Sequence, residues 1–196
     1  MAPAGDGLRR AVAIVALLNG LYFGVEFAVA QTIGSVSLFA DSIDFLEDTS
    51  VNILILLSLG WSAKARARVG MALAAILLVP GLATLITAWH KLSTMTPPEP
   101  LALSVTGAGA LAINLSCALL LARYRDHSGG LTKAAFLSAR NDALANVAII
   151  AAGLVTAFMW HSPWPDLVVG LAIGVLNADA AREVFTASRK EHDAAA

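Results

Sequence analysis

The chain has 196 residues, 58% of them hydrophobic and 14% charged, with a net charge of −1 and a mean hydropathy of +0.73. That charged fraction lies well below the roughly 25% of a soluble domain, and the balanced charge supplies no basic field for nucleic acid. The single cysteine, Cys117, supports neither a disulfide framework nor a cysteine-rich metal site. The expected class is an all-α integral membrane domain.

Six apolar stretches are predicted as transmembrane helices, at about 11–30, 33–60, 69–90, 101–123, 132–160 and 165–186, each reaching the ~20 residues that a bilayer requires. They form one domain over 11–186, between an N-terminal tail, 1–10, and a C-terminal tail, 187–196. The first stretch carries Asn19 and Glu26 and lacks a small-x-small cleavage site, so it does not read as a cleavable signal peptide. The breaks fit the same division. Residues 61–68 are basic, Thr96-Pro-Pro-Glu-Pro100 cannot continue a helix, and residues 123–130 are polar and end in Gly-Gly. His161-Ser-Pro-Trp-Pro165 reads as a rigid turn.

Basic residues alternate with the spans. Arg9 and Arg10 precede the first; Lys64, Arg66 and Arg68 follow the second; Arg123, Arg125 and Lys133 follow the fourth; Arg182, Arg189 and Lys190 close the sixth. The other connections hold one Lys or Arg, Lys91. By the positive-inside rule both termini are expected in the cytoplasm, with Trp160 and Trp164 at the outer interface.

The second span carries the chemistry. Asp41, Asp44, Glu47 and Asp48 lie within eight residues, between apolar flanks. At 100° per residue, Asp41, Asp44 and Asp48 share an arc of about 60°, joined by Ser37 and Asn52, with Glu47 about 60° past Asp44. Buried acids in a membrane are costly unless paired, and are usually functional. In the fifth span Ser138 and Asp142 are four apart on one face, bordered by Asn141. Counted from the basic ends, Asp48 and Asp142 lie at similar depth, so two helices offer oxygen pairs to one divalent cation. Ser138 and Asn141 either ligate or hydrogen-bond between helices. For Asp41, direct ligation and a role behind the ligands or at the entrance both stay open. Asn19 and Glu26 are expected to tune packing or a water path. Arg140 points about 160° from Ser138, so it either pairs with Asp179 or snorkels to the interface. His90, His127, His161 and His192 fall at helix ends or in tails and read as surface residues. Gly70-x-x-x-Ala74 would permit close helix contact in the third span.

These motifs resemble the cation diffusion facilitator family over nearly all six spans. The family's second helix reads Ser-x-x-Leu-Leu-Ala-Asp, then His or Asp, three residues, and Asp. The chain has Ser35-Val-Ser-Leu-Phe-Ala-Asp41-Ser-Ile-Asp44-Phe-Leu-Glu-Asp48. The fifth-helix pattern, His or Asp, three residues, then Asp-Ala, corresponds to Ser138-Ala-Arg-Asn-Asp142-Ala143, with Ser at the first position. Trp164-Pro-Asp166 matches the opening of the sixth helix, and Asn19, Glu26 and Gly34-Ser35 match the first helix and its turn.

The resemblance implies proton-coupled efflux of a divalent transition metal from the cytoplasm. The cargo is Zn²⁺ first, also Cd²⁺, Mn²⁺ or Fe²⁺. The implied ligands are drawn from Asp44, Asp48, Asp142, Ser138, Asn141 and Asp41, with no resident cofactor and no catalysis. It further implies a homodimer through transmembrane helices in a bacterial inner membrane, with metal, protons and lipid as partners. Two departures stand out. Ser138 replaces the first helix-five ligand, leaving the fourth ligand to Asn141, Asp41 or water. About ten residues follow Phe185, where the family carries a cytoplasmic domain. Two other classes compete: a membrane enzyme and a scaffold or sensor. CDP-alcohol phosphotransferases also use membrane aspartates, but Asp41-x-x-Asp44 is followed here by Phe45 rather than their Gly. A non-transporting metal-binding protein would bind metal without flux.

Overall fold

The computed structural model describes residues 4–58, 63–124 and 130–194, and all regular structure among them is helical. The helices are α1 (Ala4–Ile33), α2 (Val36–Ser58), α3 (Ala63–Thr94), α4 (Pro100–Ala122), α5 (Gly130–Phe158) and α6 (Trp164–Ala194). Three run well past the expected spans. α1 takes in most of the basic N-terminal tail, α3 begins inside the basic stretch, and α6 continues to Ala194. Hydropathy marks only the lipid-embedded part of a helix, whereas backbone hydrogen bonding continues through polar turns. By length and composition three described helices suffice to cross a bilayer: Asp6–Ile33, Pro100–Ala122 and Ser138–Phe158. The acids of α2 take that helix out of this apolar class.

α2 is the hub: it packs against each of the other five helices. α1 lies on α2 and α4, α4 on α5, and α3 on α6, while among the described residues α3 touches only α2 and α6. Two apolar clusters separate along the bundle. Val12, Val15, Ile55, Leu121 and Ala139 pack at the basic end; Ala30, Leu38, Ile43, Leu103 and Ile149 pack at the other. Large apolar side chains also face outward all round: Leu119 is 72% exposed and Phe158 83%. Such a surface suits lipid rather than water.

The turn from α1 to α2 is built tightly. Gly34 adopts φ +61°, open to a residue without Cβ, and Ser35 N donates to Ala30 O at 3.0 Å, closing the end of α1. Ser35 then caps α2 through Leu38 N→Ser35 Oγ at 3.1 Å. A second cap comes from α6. Asp166, fully buried, accepts from Ser35 Oγ (2.6 Å), Val36 N (2.8 Å), Ser37 N (3.1 Å) and Ser37 Oγ (2.6 Å). Its charge also complements the positive start of α2. One turn on, Gly170 allows the approach: a Cβ there would lie 2.6 Å from the carbonyl carbon of Val36. Lys91 Nζ donates to Gly34 O at 2.6 Å and ties α3 to the same turn.

His90 and His161 are exposed, as expected of surface residues. His127, and the side chains of His192 and of the Gly70-x-x-x-Ala74 motif, lie outside the described residues.

Asp166→Ala should strand buried donors at the start of α2. We expect a loss of about 2–4 kcal/mol, read as a lower melting temperature of the detergent-solubilised protein. An unchanged melting temperature would contradict the capping role.

Candidate metal centre

The polar face of α2 turns toward α5 and α6. A cavity of about 260 Å³ opens there, lined by Asp44, Glu47 and Asp48 of α2, by Ser138, Asn141 and Asp142 of α5, and by Asn177 and Asp179 of α6. Five of the six expected site residues therefore share one cavity. Its position follows from packing: it lies between the two apolar clusters, where α2, α5 and α6 bring polar faces together. Asp48 is the most enclosed of its carboxylates, 6% exposed, while Asn141 and Asp179 are exposed.

Asp48 is held from three sides. Ser138 Oγ donates to its Oδ1 at 3.0 Å, and Asn19 Nδ2 donates to its Oδ2 at 3.3 Å. Asn52 Nδ2 donates to its backbone carbonyl at 2.7 Å. Ser138 Oγ also lies 3.5 Å from Asp142 Oδ2, so one hydroxyl bridges the acids of two helices. Asn19 is itself placed by Cys117, whose Sγ lies 3.6 Å from Asn19 Oδ1. Asn19 thus orients an acid instead of serving packing alone.

Asp41 does not line this cavity. It is fully buried, and Asn146 Nδ2 donates to its Oδ2, while Asn114 Nδ2 donates to Asn146 Oδ1 at 3.0 Å. The carboxyl of Glu26, also fully buried, lies close by. Among the described residues both Glu26 oxygens and Asp41 Oδ1 have no hydrogen-bond partner. Asp41 shares an arc with Asp48 but sits seven residues away, about 10 Å along the axis. A helical wheel discards that distance.

The Arg140–Asp179 pair is not formed. Arg140 is exposed and its Nη2 donates to Asn141 Oδ1 at 3.3 Å, while Asp179 faces the cavity. Two α6 residues went unread as site members, Asn177 and Asp179. Both are polar groups in a largely apolar stretch, the same signal that marks Asp142. Asn177 also ties α6 to α2, its Nδ2 donating to Ala40 O at 3.3 Å.

Chemically the cavity offers carboxylate, amide and hydroxyl oxygens, a donor set for a divalent cation. Among the described residues no three His, Cys, Asp or Glu side chains close around a single point as a metal cage would. The acids stand on facing walls, with room between them for a cation that keeps some of its water.

The profile of the cation efflux transmembrane domain matches residues 12–191. A search of curated proteins finds no match. The match takes in all six helices and nearly the whole chain. The chain therefore belongs to the cation efflux, or cation diffusion facilitator, family of membrane transporters for divalent cations.

Proposed function

We propose that the chain exports a divalent transition metal from the cytoplasm in exchange for protons. The helices would cross the membrane six times with both termini cytoplasmic, in a bacterial inner membrane. The observation that carries this reading is the shared cavity: Asp44, Asp48 and Asp142 line one space, with Ser138 bridging two of them. Asp44, Asp48 and Asp142 are the proposed ligands. Ser138 and Asn141 complete the shell with water, and Asp41 stands behind them. Zn²⁺ is the proposed first cargo, by kinship with the family; the all-oxygen donors also suit Mn²⁺ and Fe²⁺, and Cd²⁺ is a further substrate. A homodimer would rest on helix–helix packing in lipid.

Coupling follows from charge. Like charges around a small cavity of low dielectric are relieved by a cation or by protons. Metal needs the deprotonated oxygens, so its entry releases protons, and protons arriving from outside displace it. The bundle must then expose the cavity to one side at a time. The cavity's polar rim, at Asn141 and Asp179, and its buried neighbours toward Asp41 suit access from the basic end of the bundle.

Asp44→Ala, Asp48→Ala and Asp142→Ala should each reduce metal flux into inverted vesicles to background while the protein still inserts. Near-normal flux in the Asp48 variant would remove α2 from the site. Ser138→His adds a nitrogen ligand and should shift selectivity toward Zn²⁺; unchanged affinity for every metal tested would place residue 138 outside the shell. Metal affinity should rise with pH while the empty site still holds protons, then flatten once they are gone. Flux indifferent to a pH gradient, together with no proton release on binding, would point to a metal channel instead of an exchanger.

A further inference from the structure

A second cavity, of about 190 Å³, lies between α1 and α4 at the basic end of the bundle, away from the acids. Its α1 wall carries Gly7, Arg10 and Ile14; the opposite wall carries Leu120 of α4 and, just past its end, Arg123 and Tyr124. The spacing explains the convergence. Residues 7, 10 and 14 recur at helical intervals on one face of α1, while Leu120 lies in the last turn of α4 and Arg123 and Tyr124 follow directly at its C-terminal end. These two helices are also among those apolar enough to cross a membrane.

The cavity is graded in polarity. Two guanidiniums and the Tyr124 phenol stand at its outer end, and Ile14, 37% exposed, and Leu120 stand one turn deeper. Arg10 and Arg123 are exposed, and neither guanidinium has an acidic partner among the described residues. Asp6 lies nearby on α1 but does not line the cavity. Gly7 opens the space: a Cβ there would lie 2.9 Å from the Tyr124 hydroxyl.

We infer that this cleft binds the phosphate headgroup of an anionic phospholipid. Arginine is suited to phosphate because its planar fork can donate two parallel hydrogen bonds. A free phosphate would satisfy the arginines alone. The apolar floor, continuous with the lipid-facing surface of two spans, selects an ion that carries an acyl chain. The tyrosine ring, with an apolar body and a polar tip, fits the interface between the two. The site is independent of the metal reading and needs only that α1 and α4 sit in a membrane.

The test uses the full chain in neutral detergent, titrated with phosphatidylglycerol or phosphatidylcholine and read by native mass spectrometry. Phosphatidylglycerol should be retained roughly twenty-fold more strongly, from two arginines near a lipid phosphate. Arg10→Gln and Arg123→Gln should each weaken its retention about five-fold. Arg9→Gln, which removes a neighbouring exposed charge outside the cleft, should leave retention nearly unchanged. Millimolar inorganic phosphate should not displace the lipid. Equal retention of the two lipids would overturn the proposal. So would an equal loss in the Arg9 variant, which would mean a diffuse basic field, or displacement by inorganic phosphate, which would mean a free-anion site.

Discussion

The structure depends on one constraint: a helix bearing four carboxylates must lie at the centre of an apolar bundle. An ionised acid buried without partners is among the most expensive groups a membrane protein can hold. The fold answers by making α2 the helix that every other helix touches. α1 supplies Asn19 and α5 supplies Ser138 to Asp48; α5 also supplies Asn146 to Asp41. α6 supplies Asn177 to the α2 backbone and Asp166 to its first turn. Much of the inter-helix hydrogen bonding therefore converges on one helix. Apolar packing above and below closes the polar layer off from lipid.

That arrangement splits the acids into two environments. Asp44, Asp48 and Asp142 face a cavity large enough for a cation and several waters. Asp41 and Glu26 face each other in packed surroundings, where no N–H or O–H of another described residue reaches either Glu26 oxygen or Asp41 Oδ1. The same side-chain chemistry therefore has two different occupancies: one set of acids has room for a cargo, the other does not line that room. The amide chain from Asn114 through Asn146 to Asp41 links α4 and α5 to this second environment. A shift of α5 along its axis would be felt at both Asp41 and Asp142.

Much of this was legible in the chain. Two helix breaks were written in Pro-Pro-Glu-Pro and in Ser-Pro-Trp-Pro. The i, i+4 spacing of Asp44 with Asp48 and of Ser138 with Asp142 put those four residues in one cavity. What was not legible concerns distance and rotation between helices. Asp41 shares an azimuth with Asp48, yet depth separates them. Asn177 and Asp179 enter the cavity from α6, a helix whose seating on α2 includes the close approach of Gly170 to Val36, residues far apart in the chain. Asp166 reads locally as an acid opening its own helix, yet it accepts its hydrogen bonds from Ser35 and the first turn of α2. The Arg140–Asp179 pairing failed for the same reason: opposite charges at one depth do not meet when the helices turn them apart.

In the proposed reading, the cavity between α2, α5 and α6 holds the cargo metal through carboxylate oxygens. X-ray absorption at the metal edge of the zinc-loaded full chain tests this most directly. A shell of oxygen neighbours at about 2.0–2.2 Å is expected, lost in Asp48→Ala. A shell containing sulfur at about 2.3 Å, or an oxygen shell unchanged in the Asp48 variant, would contradict it.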